Sequence, residues 1–122
     1  YEPAFRRNFV HIQDVVSAIE WSIHNGNPGI YNVGHPLYNV TKMEIAHLIT
    51  DTIGLERNCI SIGDGQDPDK RDYIVNSNKI INEGFVFDRS IEQGIMEVHN
   101  YCRYITYKIS KGMRNDYCKN PS

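Results

Sequence analysis

The chain has 122 residues and a formal net charge of −2, with 23% charged and 40% hydrophobic residues. That length suits one modest core, the mildly acidic balance argues against a general nucleic-acid binder, and no apolar run reaches membrane-spanning length. Cys59, Cys102 and Cys118 are odd in number and lack a CxxC spacing, which argues against a disulfide scaffold or a zinc site and fits free thiols in a reducing cytoplasm.

No charged–apolar–small pattern at the front reads as a signal peptide. The opening on Tyr1 rather than Met suggests a fragment, a cleavage product or a trimmed chain. Residues 9–12 are short, apolar and rich in strand formers, which predicts a strand. Asp14 follows as the expected helix N-cap, and Val15, Ala18, Ile19, Ser22 and Ile23 recur at helical spacing up to a stop at Gly26. Asn27-Pro28-Gly29 makes a turn, and residues 30–33 read as a second strand ending at Gly34.

Thr41-Lys42-Met43-Glu44 is a capping box, with Val40 and Ile45 at the two positions of a hydrophobic staple. The helix it opens is expected to bury Met43, Ala46, Ile49 and Ile53 and to end at Gly54. Residues 59–62 look like a third strand, residues 63–70 like an acidic loop, and residues 73–75 like a short strand. A single helical turn is expected at residues 77–81, near Gly84. Ser90 to Gln93 repeats the capping box. Ile91, Ile95, Val98, Cys102, Ile105 and Ile109 then alternate spacings of four and three, the pattern of one long amphipathic helix closed by Gly112. A polar tail of residues 113–122 follows. Strands alternating with helices indicate the α/β class.

Several residue patterns carry chemistry. Arg7, just before an apolar segment, and Arg71, after an acidic stretch, are candidate phosphate ligands, because a guanidinium meets phosphate oxygens in a two-pronged fork. A solvated surface arginine is the plainer reading of each. Asp64, Asp67 and Asp69 cluster, but the sixth position of an EF-hand loop falls on an aspartate in either register, so a hydrated acidic loop fits better. Glu44 and His47 have the spacing of half a di-iron site with no second copy, which leaves no metal site. Tyr38 with Lys42 and Tyr104 with Lys108 match Tyr-x-x-x-Lys, in which a lysine lowers a tyrosine's pKa for base catalysis. With 8 tyrosines in the chain so short a pattern arises easily by accident, so the two matches are weak evidence and both read as decoys. There is no glycine-rich phosphate loop, no nucleophile elbow and no Cys/His pair in a recognisable context, so no catalytic, cofactor-binding or metal residues are assigned.

The order of "RNFVHIQDVVSAIEWSI", "GIYNVGHPLYNVTKMEIAHLI", "DPDKRDYIVNSNKIINEGF" and "SIEQGI" resembles the C-terminal third of extended short-chain dehydrogenases/reductases. These are NAD(P)-dependent nucleotide-sugar epimerases, dehydratases and reductases, and the likeness runs from about Arg6 to Glu97. It implies the C-terminal part of a Rossmann-type fold. Residues 1–40 would complete the dinucleotide-binding sheet, with its last strand and helix, and residues 41–112 would form the small substrate-binding lobe and C-terminal helix. It implies that Arg7 reaches the nucleotide-sugar's diphosphate, while His11 is structural. The second phosphate-holding arginine of many members is absent before Pro68-Asp69, and Arg71 is its substitute. NAD(P) is implied by the resemblance alone, because the family's cofactor loop, catalytic Ser/Thr and working Tyr-x-x-x-Lys precede the matched part. The implied partners are a nucleotide-diphosphate sugar and either a separate dinucleotide-binding portion or a second copy of the chain, with no nucleic acid or membrane. The implied function is the substrate side of such an epimerase, dehydratase or reductase. The alternative is a non-catalytic nucleotide-sugar-binding or interaction domain.

Overall fold

A computed structural model describes residues 2–66, 68–69 and 71–111. Asp67, Gly112, Cys118 and the polar tail lie outside these residues. The first strand, β1 (Arg6–Asn8), falls earlier than the apolar run at residues 9–12. It pairs antiparallel with β2 (Asn39–Thr41), placing Arg6 opposite Thr41, Arg7 opposite Val40 and Asn8 opposite Asn39. Backbone bonds from Phe9 N–H to Tyr38 O and from Lys42 N–H to Phe5 O extend the pairing at either end.

The apolar run is cut short because a helix begins inside it. Helix α1 (Ile12–His24) is capped by His11, whose Nδ1 accepts the Gln13 N–H at 3.1 Å. Asp14 therefore sits in the first turn and is not the cap. It is 2% exposed, and its two carboxylate oxygens accept the N–H groups of Asp88 and Arg89, both at 3.2 Å. This satisfies a buried charge with two backbone donors and ties α1 to the start of the last helix. The helix closes at His24, before Gly26, with the Asn25 N–H on Trp21 O.

Both capping boxes form. Thr41 Oγ1 accepts the Glu44 N–H at 3.1 Å, and Glu44 accepts the Thr41 N–H at 2.7 Å, opening α2 (Lys42–Ile53). Gly54 ends it at φ 74°, a left-handed conformation that glycine adopts without a Cβ penalty. Ser90 and Gln93 exchange the same pair of bonds at 3.1 and 2.9 Å, opening α4 (Ile91–Ser110). Between the two lies the five-residue α3 (Asn78–Asn82).

Helix α2 packs on α4. The two differ in length, about 18 Å against about 30 Å at 1.5 Å per residue, so α4 outruns its cover. Ile91 and Ile95 are half-buried, while Val98, Cys102 and Ile109 are exposed. On α2 the buried position is Thr50, and Ile49 faces outward.

The core gathers Ala18 from α1, Ile80 from α3 and Phe85, with Trp21, Tyr31, Val33, Ile81 and Phe87 packed against them. Its aromatic rings meet edge to face, Trp21 with Tyr31 at 5.8 Å and Phe85 with Phe87 at 5.0 Å, the arrangement ring quadrupoles favour. The opposite stripe of α1 (Ile12, Val16, Ile19 and Ile23) is exposed.

The strands expected at residues 30–33, 59–62 and 73–75 do not form ladders. Residues 57–59 make a turn of 3-10 helix instead. Apolar, β-branched composition suits a pleated surface, but a strand exists only against a neighbour. The described residues hold one two-stranded sheet and, with their helices, a mixed α and β content.

Candidate functional site: an arginine pair on a polar seam

Asp69 and residues 71–77 lie beside β1 and β2, joined to them by side chains and, among the described residues, without a backbone ladder. Asn39 takes the part of a strand neighbour: its Nδ2 donates to Val75 O at 3.0 Å and its Oδ1 accepts the Val75 N–H at 2.8 Å. Asn8 Nδ2 donates to His35 O and to Asn39 Oδ1. At the buried end, Ser77 Oγ donates to Gly34 O at 2.7 Å and accepts the Gly34 N–H at 3.0 Å. A Cβ on Gly34 would stand 2.5 Å from Asn8 Oδ1 and 2.8 Å from a Val75 methyl. The close approach of the three segments requires glycine there.

The other end of the seam carries the charge. Arg6 grips Asp72 with its backbone N–H at 2.8 Å and with its guanidinium at 3.0 and 2.8 Å. These bonds lower the Asp72 carboxyl to about 2. Arg7 Nη1 donates to Arg6 O at 2.8 Å and to Arg71 O at 2.6 Å, and its Nη2 donates to Asp69 O at 2.9 Å. The Arg7 side chain is 16% exposed. Arg71 clasps Asp69 through Nε at 2.7 Å and Nη2 at 3.0 Å, which holds the Asp69 carboxyl well below the usual carboxylate range. Both guanidinium carbons lie near the Tyr73 ring, Arg7 at 5.2 Å and Arg71 at 5.9 Å from its centre, within cation–π range.

Two arginines 64 residues apart thus meet at one place. They differ in freedom: backbone carbonyls fix Arg7, whereas the Arg71 side chain is 79% exposed. Such a pair combines one fixed positive charge, whose Nη1 donors are taken up by carbonyls, with one adaptable fork. The sequence reading assigned Arg6, Asn39, Asp72 and Tyr73 to no binding site, and it took Asp69 as part of a hydrated loop. The spacing of Asp69 and Arg71, two apart, is the one local signal that could have marked the clasp.

The remaining candidates separate from this site. His11 caps α1 and places Nε2 3.2 Å from Glu97 Oε2 on α4, and its ring lies where a Cβ on Gly94 would come within 2.9 Å. Those contacts are structural. Glu44 is committed to the capping box, and no metal-holding group of His, Cys, Asp and Glu occurs among the described residues. Tyr38 stacks on His35 at 4.1 Å, and Lys108 lies 4.8 Å over the Tyr104 ring along α4. Cys59 and Cys102 are free and exposed.

The described residues do not fit the pyrophosphate of NAD(P). The turn from β1 into α1 passes through Phe9, Val10 and His11 with no glycine, and the His11 ring occupies a donor at the helix N-terminus that such a group would need. No family model matches the chain. No helix among the described residues is long and apolar enough to cross a membrane.

Proposed function

We propose that this chain is the substrate-side part of an NAD(P)-dependent nucleotide-sugar epimerase, dehydratase or reductase, binding the nucleotide-diphosphate portion of the sugar through Arg7 and Arg71. The observation that carries the reading is the meeting of these two arginines beside Tyr73. Their combined charge and fork geometry match the oxygens of a diphosphate, and the exposed face of Tyr73, 39% accessible, gives the ligand an apolar surface beside them. The order of sequence motifs supports the same family. Hydride transfer and proton abstraction then belong to a dinucleotide-binding portion, and this chain contributes phosphate binding and pocket wall.

A non-catalytic nucleotide-sugar-binding or interaction domain is the second reading. The exposed Ile12, Val16, Ile19 and Ile23 stripe suits it as a surface for a partner or a second copy, and suits the first reading as the face that packs on a dinucleotide-binding sheet. A polypeptide joining a glycine-rich cofactor loop to this chain decides for the first.

The test is calorimetric binding of UDP-, dTDP- and GDP-sugars to the protein joined to its dinucleotide-binding portion. Arg7→Ala should weaken the bound nucleotide-sugar by about ten- to a hundredfold, the loss of a charge-assisted fork. Arg71→Ala, at an exposed side chain, should weaken it less and leave the fold intact. Unchanged affinity in both folded variants would remove the assignment.

A further inference from the structure

We infer that Asp69 is a built-in competitor for the anion taken by the Arg7–Arg71 pair, an inference that rests on the diphosphate reading of that pair. The carboxylate already makes the contacts a phosphate would make. Oδ1 accepts from Arg71 Nε at 2.7 Å, Oδ2 accepts from Arg71 Nη2 at 3.0 Å, and Oδ2 stands 3.6 Å from Arg7 Nη2. The carboxylate therefore meets Arg71 in the two-pronged geometry of an arginine–phosphate contact and stands within ion-pair distance of Arg7.

The contact is made to open. Its members are two residues apart, and their side chains are 79% and 35% exposed, so solvent screens the attraction and little packing is lost on release. Arg7 does not depend on it, because the carbonyls of Arg6, Asp69 and Arg71 hold its guanidinium in place. A diphosphate exchanges with Asp69 for the Arg71 fork, beside the fixed positive charge of Arg7. The released carboxylate stays beside the ligand and repels it, so Asp69 lowers the affinity of any anion that takes the Arg71 fork.

The experiment measures inorganic pyrophosphate binding to the whole chain by calorimetry at low ionic strength. The proteins are the native chain, Asp69→Asn, Arg71→Ala and the double variant. Asparagine keeps the Oδ1 acceptor for the Arg71 N–H, 3.2 Å away, while removing the charge. Asp69→Asn should bind about 1.5- to fivefold more tightly, the scale of relieving an exposed ion pair, and the gain should vanish in the double variant and shrink as salt rises. Native binding with no gain in Asp69→Asn, in protein whose circular dichroism is unchanged, overturns the competitor and leaves the arginine site standing. A gain that persists without Arg71 also overturns it, by showing a general charge effect. Absence of binding in every protein overturns both the competitor and the diphosphate reading.

Discussion

Two regions of this molecule are held together by different physics. Around Phe85, cohesion comes from aromatic and aliphatic contact: Phe85 is 5% exposed and Ile80 1%, and three aromatic pairs with edge-to-face rings surround them. Along residues 71–77, cohesion comes from polar side chains that stand in for a ladder, with Asn39 on Val75, Ser77 on Gly34 and Arg6 on Asp72. The first region resists change because its atoms have no better surroundings. The second can exchange partners, since water and dissolved anions compete for the same groups. A ligand site built on arginines belongs on the second region, and stability belongs to the first.

The sharpest test of that division is Phe85→Ala. Truncating a buried phenylalanine removes apolar burial and leaves a cavity, a loss of about 3–5 kcal/mol, read by urea unfolding with the fluorescence of Trp21, whose ring centre lies 6.0 Å from that of Phe85. Ser77→Ala is the counterpart on the seam. It deletes a buried hydroxyl that both donates to and accepts from Gly34, for a loss of about 1–3 kcal/mol. A loss as large as that of Phe85→Ala would show that the seam, and not the aromatic core, is the cooperative centre of the fold.

The same division explains what was legible in the sequence. Capping boxes are local, three residues from end to end, so Thr41–Glu44 and Ser90–Gln93 could be read directly, as could the left-handed Gly54. Helical periodicity located α1 but not its inner face. The most regular apolar stripe, Ile12, Val16, Ile19 and Ile23, points outward, while the inward stripe contains Asp14. A buried aspartate reads as polar until its two backbone donors, 74 and 75 residues away, are known. Strand composition at residues 30–33 misled for a related reason, since pairing depends on a neighbour that composition does not name. At the candidate site, the residues flanking Arg7 and Arg71 gave no hint that both guanidiniums reach Asp69 and Tyr73. That meeting follows from the Asn39–Val75 and Arg6–Asp72 bonds, each made between distant residues of unremarkable local context.

His35 lies where the two regions join, and it offers the finest test of the boundary. Its carbonyl accepts from Asn8 on the seam, while its ring stacks on Tyr38 and meets Phe87 edge-on at 5.3 Å. The side chain is buried, and its Nδ1 accepts the Leu37 N–H at 3.3 Å, which requires that nitrogen to be unprotonated. Burial lowers its pKa below the ordinary 6.5, against a weaker upward pull from the carboxylates of Asp14 and Glu92. The unfolded chain therefore binds this proton more readily than the folded one. Its contribution is fully present above pH 6.5, declines as the pH falls from there toward the lowered folded value, and is lost below it. Urea midpoints measured from pH 8 to 5 should fall on the acid side in the native chain and fall less in His35→Phe, which keeps an aromatic ring at the position and cannot titrate. The other histidines are common to both proteins, so the difference between the two curves isolates His35. Parallel curves would mean that the ring takes up its proton as readily folded as unfolded, which would place it with the exchangeable seam and not with the aromatic core.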